Sequence, residues 1–165
     1  RRQRLDVFAV LLKSVGMQLG QALMQQAITT LTTTVGSTTA KAGSALAYSD
    51  LATLYGKFST YDMNLLLVSP KNAAAILAMS EMEDVVPVEQ GQVRLPFGTI
   101  LCKVPQMSDT VILGVDKNFA LEMVTGSNLI LETDRLIENQ LEAISVSLQC
   151  GFRVLTKNAV HKMTV

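Results

Sequence analysis

The sequence predicts an α+β chain, and three patterns predict it. Apolar residues recur at helical spacing over residues 5–32. A helix, a short apolar strand and a capped helix follow between residues 49 and 80. The last third is strand-like and ends in strict apolar/polar alternation over residues 144–154.

The first element is a long helix. Phe8, Leu12, Val15, Leu19 and Leu23 recur at three- and four-residue steps, flanked by Leu11, Ala22, Ala27 and Ile28, and no proline interrupts them. Such a helix runs about 40 Å, so it is expected to lie along the outside of a sheet or to extend away from the main body. Gly16 and Gly20 form a GxxxG pair, which in a soluble helix marks the close approach of a strand or another helix. Residues 14–28 carry no charge, but Gln18, Gln21, Gln25 and Gln26 are poorly placed in hydrocarbon, so a membrane span is rejected.

Residues 29–44 (TTLTTTVGSTTAKAGS) offer little to bury. Threonines weaken the helix end and Gly36 and Gly43 break it, which predicts a linker or mobile loop. A second helix begins near Ser49 or Asp50, either of which can cap it, with Leu51, Leu54, Tyr55 and Phe58 on its apolar face. The run NLLLV at 64–68 has strand length. Ser69-Pro70 then supplies a cap and a first-turn proline for a third helix through Ala73, Ile76, Leu77 and Met79.

Residues 81–91 (EMEDVVPVEQG) read as an exposed acidic loop. Strands are expected at 93–95, 99–104 and 110–115, then a turn or one helical turn at 116–119. Strands at 121–124 and 129–133 flank Thr125-Gly126-Ser127-Asn128, a hairpin signal. In the run 144–154, Ile144, Val146, Leu148, Cys150, Phe152 and Val154 point one way, and Ser145, Ser147, Gln149, Gly151 and Arg153 the other. This predicts a single strand, buried on one face and wet on the other. Residues 158–165 read as a short tail.

Composition narrows the function classes. Of 165 residues, 48% are hydrophobic and 17% charged, which excludes a disordered chain and fits either a well-filled core or a surface buried against other copies. Fourteen basic residues balance fourteen acidic ones, so no basic field for generic nucleic-acid binding is built. Arg1, Arg2 and Arg4 are the one local excess, read as a solvated terminus or a contact with nucleic acid or a neighbouring subunit. The first residue is Arg and no signal peptide follows, which suggests a processed or trimmed chain. Cys102 and Cys150 sit in apolar runs and read as buried small hydrophobes in a reducing compartment.

No constellation for chemistry is found. The lone His161 has no ligand spacing to another His or Cys and reads as an exposed tail residue, and no nucleophile elbow or phosphate loop occurs. Glu81, Glu83, Asp84 and Glu89 could act as paired acids or hold a cation, but a solvated acidic loop accounts for them better. Asp134, Arg135 and Glu138 form a charged run between strands, read as a turn with a surface ion pair or as an intersubunit salt bridge. These seven residues are the candidate intersubunit contacts; no catalytic, cofactor or metal residue is assigned.

Four stretches, taken in order, carry a resemblance. DLATLYGKFSTYDMNLLLVSPK (50–71) looks like a helix leading into an apolar strand and a Ser-Pro-capped helix. LPFGTILCKVPQMSD (95–109) looks like a glycine turn, an apolar strand and a Pro/Met segment. GVDKNFALEMVTGSNLILE (114–132) looks like an apolar strand, a hairpin and a further strand, and residues 139–165 look like a closing strand. Together with the first helix they resemble the C-terminal two-thirds of tailed-bacteriophage major capsid proteins, which share the Hong Kong ninety-seven fold. The family's N-terminal arm and extended hairpin loop, which should precede the long helix, are absent here.

The resemblance implies a long spine helix, a peripheral β-rich domain and a mixed α/β axial domain. Residues 1–48 would supply the spine helix and linker, 49–106 the axial domain, and 107–165 late strands shared between the two. It further implies a structural, non-catalytic subunit whose partners are copies of itself in pentamers and hexamers, closing into an icosahedral phage or prophage head around double-stranded DNA. No membrane and no cofactor take part, and the location is the virion capsid, with host cytoplasm during assembly. An encapsulin-type nanocompartment shell is the alternative within the fold, separated by a cargo-peptide pocket. From other classes, a small α/β enzyme would show hydrolase activity or bound metal, and a monomeric binding domain would not associate with concentration.

Overall fold

A computed structural model describes residues 2–82, 87–88, 92–136 and 141–165. Helix α1 spans Arg2–Thr33, 32 residues and about 48 Å at 1.5 Å per residue. The threonines at its end do not unwind it. The hydroxyls of Thr29, Thr30, Thr32 and Thr33 donate to the carbonyls of Gln25, Gln26, Ile28 and Thr29 at 2.7–2.9 Å, which satisfies them within the helix.

The expected linker holds a strand, β1 (Ser37–Ala40). Helix α2 (Tyr48–Tyr55) follows. Its cap is Asp50, which reaches back from the third helical position so that Oδ2 accepts from Ala47 N–H and Oδ1 from Ala42 N–H, each at 3.0 Å. Strand β2 (Leu65–Val68) and helix α3 (Pro70–Leu77) stand where the sequence puts them, and the buried Ser69 Oγ accepts from Asn72 N–H at 3.3 Å. Next come β3 (Pro87–Val88), β4 (Gln92–Arg94), β5 (Ile100–Lys103) and β6 (Val111–Val115).

Seven strands form one mixed sheet in the order β1-β11-β6-β2-β5-β4-β3, where β11 is Val160–Thr164. The expected C-terminal tail is therefore an interior strand, parallel to β1 and antiparallel to β6. Strand β2 is parallel to β5 and antiparallel to β6. Being central, it is apolar on both faces, which is why NLLLV shows no alternation. Leu66 and Val68 join Leu51, Leu54, Ile76, Ile112 and Met163 in a core beneath α2 and α3. Leu65 and Leu67 face a second core with Leu113, Val115, Val160 and the end of α1 at Ile28 and Leu31.

The remaining strands form a ribbon. Strand β7 (Leu121–Thr125) pairs with β10 (Cys150–Val154), and β8 (Ile130–Leu136) with β9 (Leu141–Ser147), all antiparallel. The hairpin expected at 125–128 does not form, because β7 and β8 run on in the same direction and each pairs with the returning segment. Gly126 N–H donates to the Gln149 carbonyl at 2.8 Å, and Gln149 N–H to Ser127 Oγ at 3.3 Å, bridging the interruption. The single strand expected over 144–154 is thus two strands broken at Leu148-Gln149. Its alternation survives the break: Ile144, Val146, Leu148, Cys150, Phe152 and Val154 are half-buried and the residues between them exposed. Helix α1 packs against β10.

Candidate assembly surface

The first ingredient of the surface is a helix face without charge. No Asp, Glu, Lys or Arg occurs between Lys13 and Lys41, yet most of α1 in that stretch lies open. Of the stripe the spacing predicts, Val15, Leu19 and Leu23 are half-buried, Leu12 is exposed, and the Phe8 side chain lies outside the described residues. On the other side, Val10 (67% exposed), Met17 (60%) and Met24 (45%) stand at seven-residue intervals and form a second apolar stripe. Gly16 and Gly20 do not mark a close approach within the chain, since a Cβ on either would meet nothing within 4 Å.

The second ingredient is the ribbon. Met123, Val124, Leu129, Ile130 and Leu131 are all exposed, three of them consecutive. A two-stranded ribbon has two free backbone edges and cannot bury both faces by itself. The one ion pair among the described residues crosses it, Arg153 Nε to Glu122 Oε2 at 2.6 Å, and it is solvent-exposed, so it contributes little. Contiguous exposed apolar area of this kind is uncommon on a folded chain.

The charged candidates are differently placed. Asp134 and Arg135 are not in a turn between strands: both lie inside β8, opposite Ala143 and Glu142 of β9, and Asp134 is exposed. They occupy strand positions because pairing continues to Leu136–Leu141. Glu81 is exposed in a one-turn helix, Ser80–Met82, and accepts from Ser80 Oγ at 3.1 Å. Glu83, Asp84, Glu89 and Glu138 lie outside the described residues. Sequence reasoning chose candidate contacts by charge and did not single out the exposed apolar residues. The signal that could have found them is the charge-free run after Lys13, combined with the heptad spacing of Val10, Met17 and Met24.

His161 corrects another expectation. It is buried in β11, with Nδ1 2.7 Å from Ser37 Oγ and its ring edge-on to Phe58 at 4.5 Å between centroids. Cys102 and Cys150 are free and half-buried, and burial raises the Cys102 thiol above its usual pKa. Among the described residues no group of three or more His, Cys, Asp or Glu side chains could hold a metal ion. Buried Asp116 is a structural hub: its carboxylate accepts from the backbone N–H groups of Asp62 and Asn118 and from Asn64 Nδ2. Among the described residues no helix is long and apolar enough to cross a membrane.

No family model matches the chain, and no curated protein sequence does. Solved structures match well. The SrpI encapsulin complex from Synechococcus elongatus PCC 7942 gives a TM-score of 0.70 at 16% identity, covering 95% of this chain and 63% of that one. Mycobacterium phage Che8 gives 0.64 at 14%, covering 92% and 59%. The capsid of the empty GTA particle gives 0.61 at 16%, covering 79% and 49%. The chain thus spans between about half and just under two thirds of the length of these structures. At such identity the likeness is one of fold: the chain has the tailed-phage major capsid fold that its sequence resembles, with mixed helix and strand content.

Proposed function

We propose that the chain is a structural subunit of a protein shell, assembling with copies of itself through pentamers and hexamers into an icosahedral phage or prophage head around double-stranded DNA. The observation that carries this reading is the pairing of a capsid-type fold with two uncovered apolar elements, the outer stripe of α1 and the β8–β9 end of the ribbon. A lone globular chain gains nothing from presenting Val10, Met17 and Leu129–Leu131 to water, whereas a shell subunit buries such residues at each contact. The role is structural, with no catalytic step and no cofactor.

In this reading residues 1–48 belong to a peripheral domain with α1 as its spine, residues 49–106 to an axial domain near the capsomer centre, and residues 107–165 to both. Glu81, Glu83, Asp84 and Glu89 would lie toward the capsomer centre, and Asp134, Arg135 and Glu138 toward neighbours at the ribbon end. The particle would be assembled in host cytoplasm, with the inner surface toward DNA. One observation favours a second reading: the SrpI encapsulin complex covers 95% of this chain, which supports a nanocompartment shell with protein cargo.

Negative-stain electron microscopy and light scattering on the protein expressed from its complete gene test the proposal. Closed shells or ring-shaped capsomers are the expected result, with nuclease-protected DNA for a head and co-purified protein cargo for a nanocompartment. Monodisperse monomers at high concentration would overturn both readings.

A further inference from the structure

We propose that His161 is an acid-sensitive latch that fastens strand β1, and with it the corner where α1 enters the sheet, to the body of the molecule. Strand β1 is a four-residue edge strand whose one neighbour among the described residues is β11. Besides its ladder it is held by Gly36 N–H to the Val160 carbonyl at 2.8 Å and Lys41 N–H to the Thr164 carbonyl at 3.0 Å. Among the described residues its one side-chain to side-chain hydrogen bond into the sheet is Ser37 Oγ to His161 Nδ1. So short an edge strand lies at the low-stability end of a fold, where each side-chain contact weighs in whether it stays docked.

Among the described residues the surroundings of the ring offer an imidazolium no counter-charge. From β1 it meets Ser37; from β6 its register partner is Gly114, which has no side chain. The segment after α2 brings the Phe58 ring and the Lys57 ammonium, and the turn before β11 offers the Asn158 backbone. Among the described residues no carboxylate pairs with it. Burial holds His161 below the usual imidazole range; the bond to Asn158 opposes this, and Lys57 adds to the depression. With β1 released and the ring in water, His161 would take a proton near its ordinary value of about 6.5.

The sign follows from linkage. Above about pH 6.5 the ring is neutral whether β1 is docked or free, and docking keeps its full stability. As pH falls below that, the free form takes up the proton first, and docking weakens progressively toward the depressed pKa of the docked ring. Acid therefore favours release of β1. Because β1 continues from α1, release unties the end of the long helix from the sheet, a change in how the two parts of the subunit are joined. The latch belongs to the fold and does not depend on what a shell would enclose.

Amide hydrogen exchange on the full chain at about pH 7.5 and about pH 5, corrected for intrinsic rates, tests the latch. In the wild type the protection of β1 amides is expected to fall at the lower pH relative to that of β2. In His161→Gln, which keeps a polar group but cannot charge, the β1-specific loss should vanish. Asp50, whose carboxylate holds Ala42 N–H just beyond β1, is intact in the variant and serves as its internal control. An equal β1 loss in His161→Gln, or no loss in the wild type, would overturn the proposal. If that variant fails to fold, the wild type still decides: the chain has one histidine, so its ring proton signals titrate alone. A midpoint below the ordinary range that coincides with β1 release sustains the latch, and an ordinary midpoint with β1 unchanged removes it.

Discussion

Gly36 and Lys157 meet backbone to backbone. A Cβ on Gly36 would stand 2.6 Å from the Lys157 carbonyl oxygen and 2.9 Å from the Asn158 Cα. Neither atom belongs to a side chain that could swing aside, and Gly36 N–H is tied to the Val160 carbonyl. Gly36→Ala must therefore shift either the start of β1 or the turn at Lys157–Ala159. The expected cost is about 1–3 kcal/mol of unfolding free energy, read as a lower denaturant midpoint with an unchanged slope. A neutral substitution would mean that the turn moves freely and that β1 is not held as described.

Gly114 offers the informative contrast. A Cβ there would lie 2.6 Å from Met63 Sδ and 3.0 Å from Phe58 Cε2, both side-chain atoms. The methionine thioether has rotamers to spare, so Gly114→Ala should cost about 1 kcal/mol, less than Gly36→Ala. The ranking is the prediction, and thermal melts of the two variants check it. A larger loss at Gly114 would show that Phe58, pressed between Gly114 and His161, cannot yield.

The elements that sequence reading placed well announce themselves locally: the Ser69-Pro70 cap, the NLLLV run and the apolar stripe Val15, Leu19 and Leu23. What it missed depends on partners distant in sequence. STTA at 37–40 has no pattern of its own and becomes a strand because β11, more than a hundred residues later, presents a free edge. VHKMT at 160–164 reads as tail for the same reason, and His161 with it as exposed, yet both belong to β11. The Thr125–Asn128 signal is a real break, but pairing across the ribbon competes with a local turn and wins. Charged candidates on 83–90 and at Glu138 fall outside the described residues. The exposed apolar surface stayed hidden because an exposed Leu and a buried one look alike in sequence.

Asp50 makes a test of a helix cap that holds more than its helix. Its buried carboxylate accepts Ala47 N–H at the start of α2 and Ala42 N–H in the segment that leaves β1. Asp50→Ala strands two backbone donors at once, so about 1–3 kcal/mol is expected, more than a simple cap loss of about 1 kcal/mol. Asp50→Asn keeps one acceptor oxygen and should fall between wild type and Asp50→Ala. Equal loss in both variants would show that charge, not the second hydrogen bond, supplies the stability.

Met17 and Leu131 separate folding from assembly. Met17 lies 60% exposed on the outer stripe of α1, and Leu131 48% exposed on β8. Neither belongs to the two buried cores. Met17→Glu and Leu131→Glu should leave the unfolding midpoint of the unassembled chain within about 0.5 kcal/mol of wild type, as surface substitutions do. Placed in a subunit contact, the same carboxylates must be desolvated without a partner, which costs several kcal/mol per copy and recurs at every equivalent contact of a closed shell. Assembly of the complete protein should then stop at free subunits or small oligomers by light scattering and negative-stain microscopy. Ile76→Ala supplies the opposite signature, because Ile76 is fully buried against α2 and β2: a loss of about 2–5 kcal/mol in folding with particles of normal form wherever the chain does fold. Shells of normal yield from both Glu variants would move the contact surface away from α1 and β8, and folded monomers from either one alone would locate it on that element.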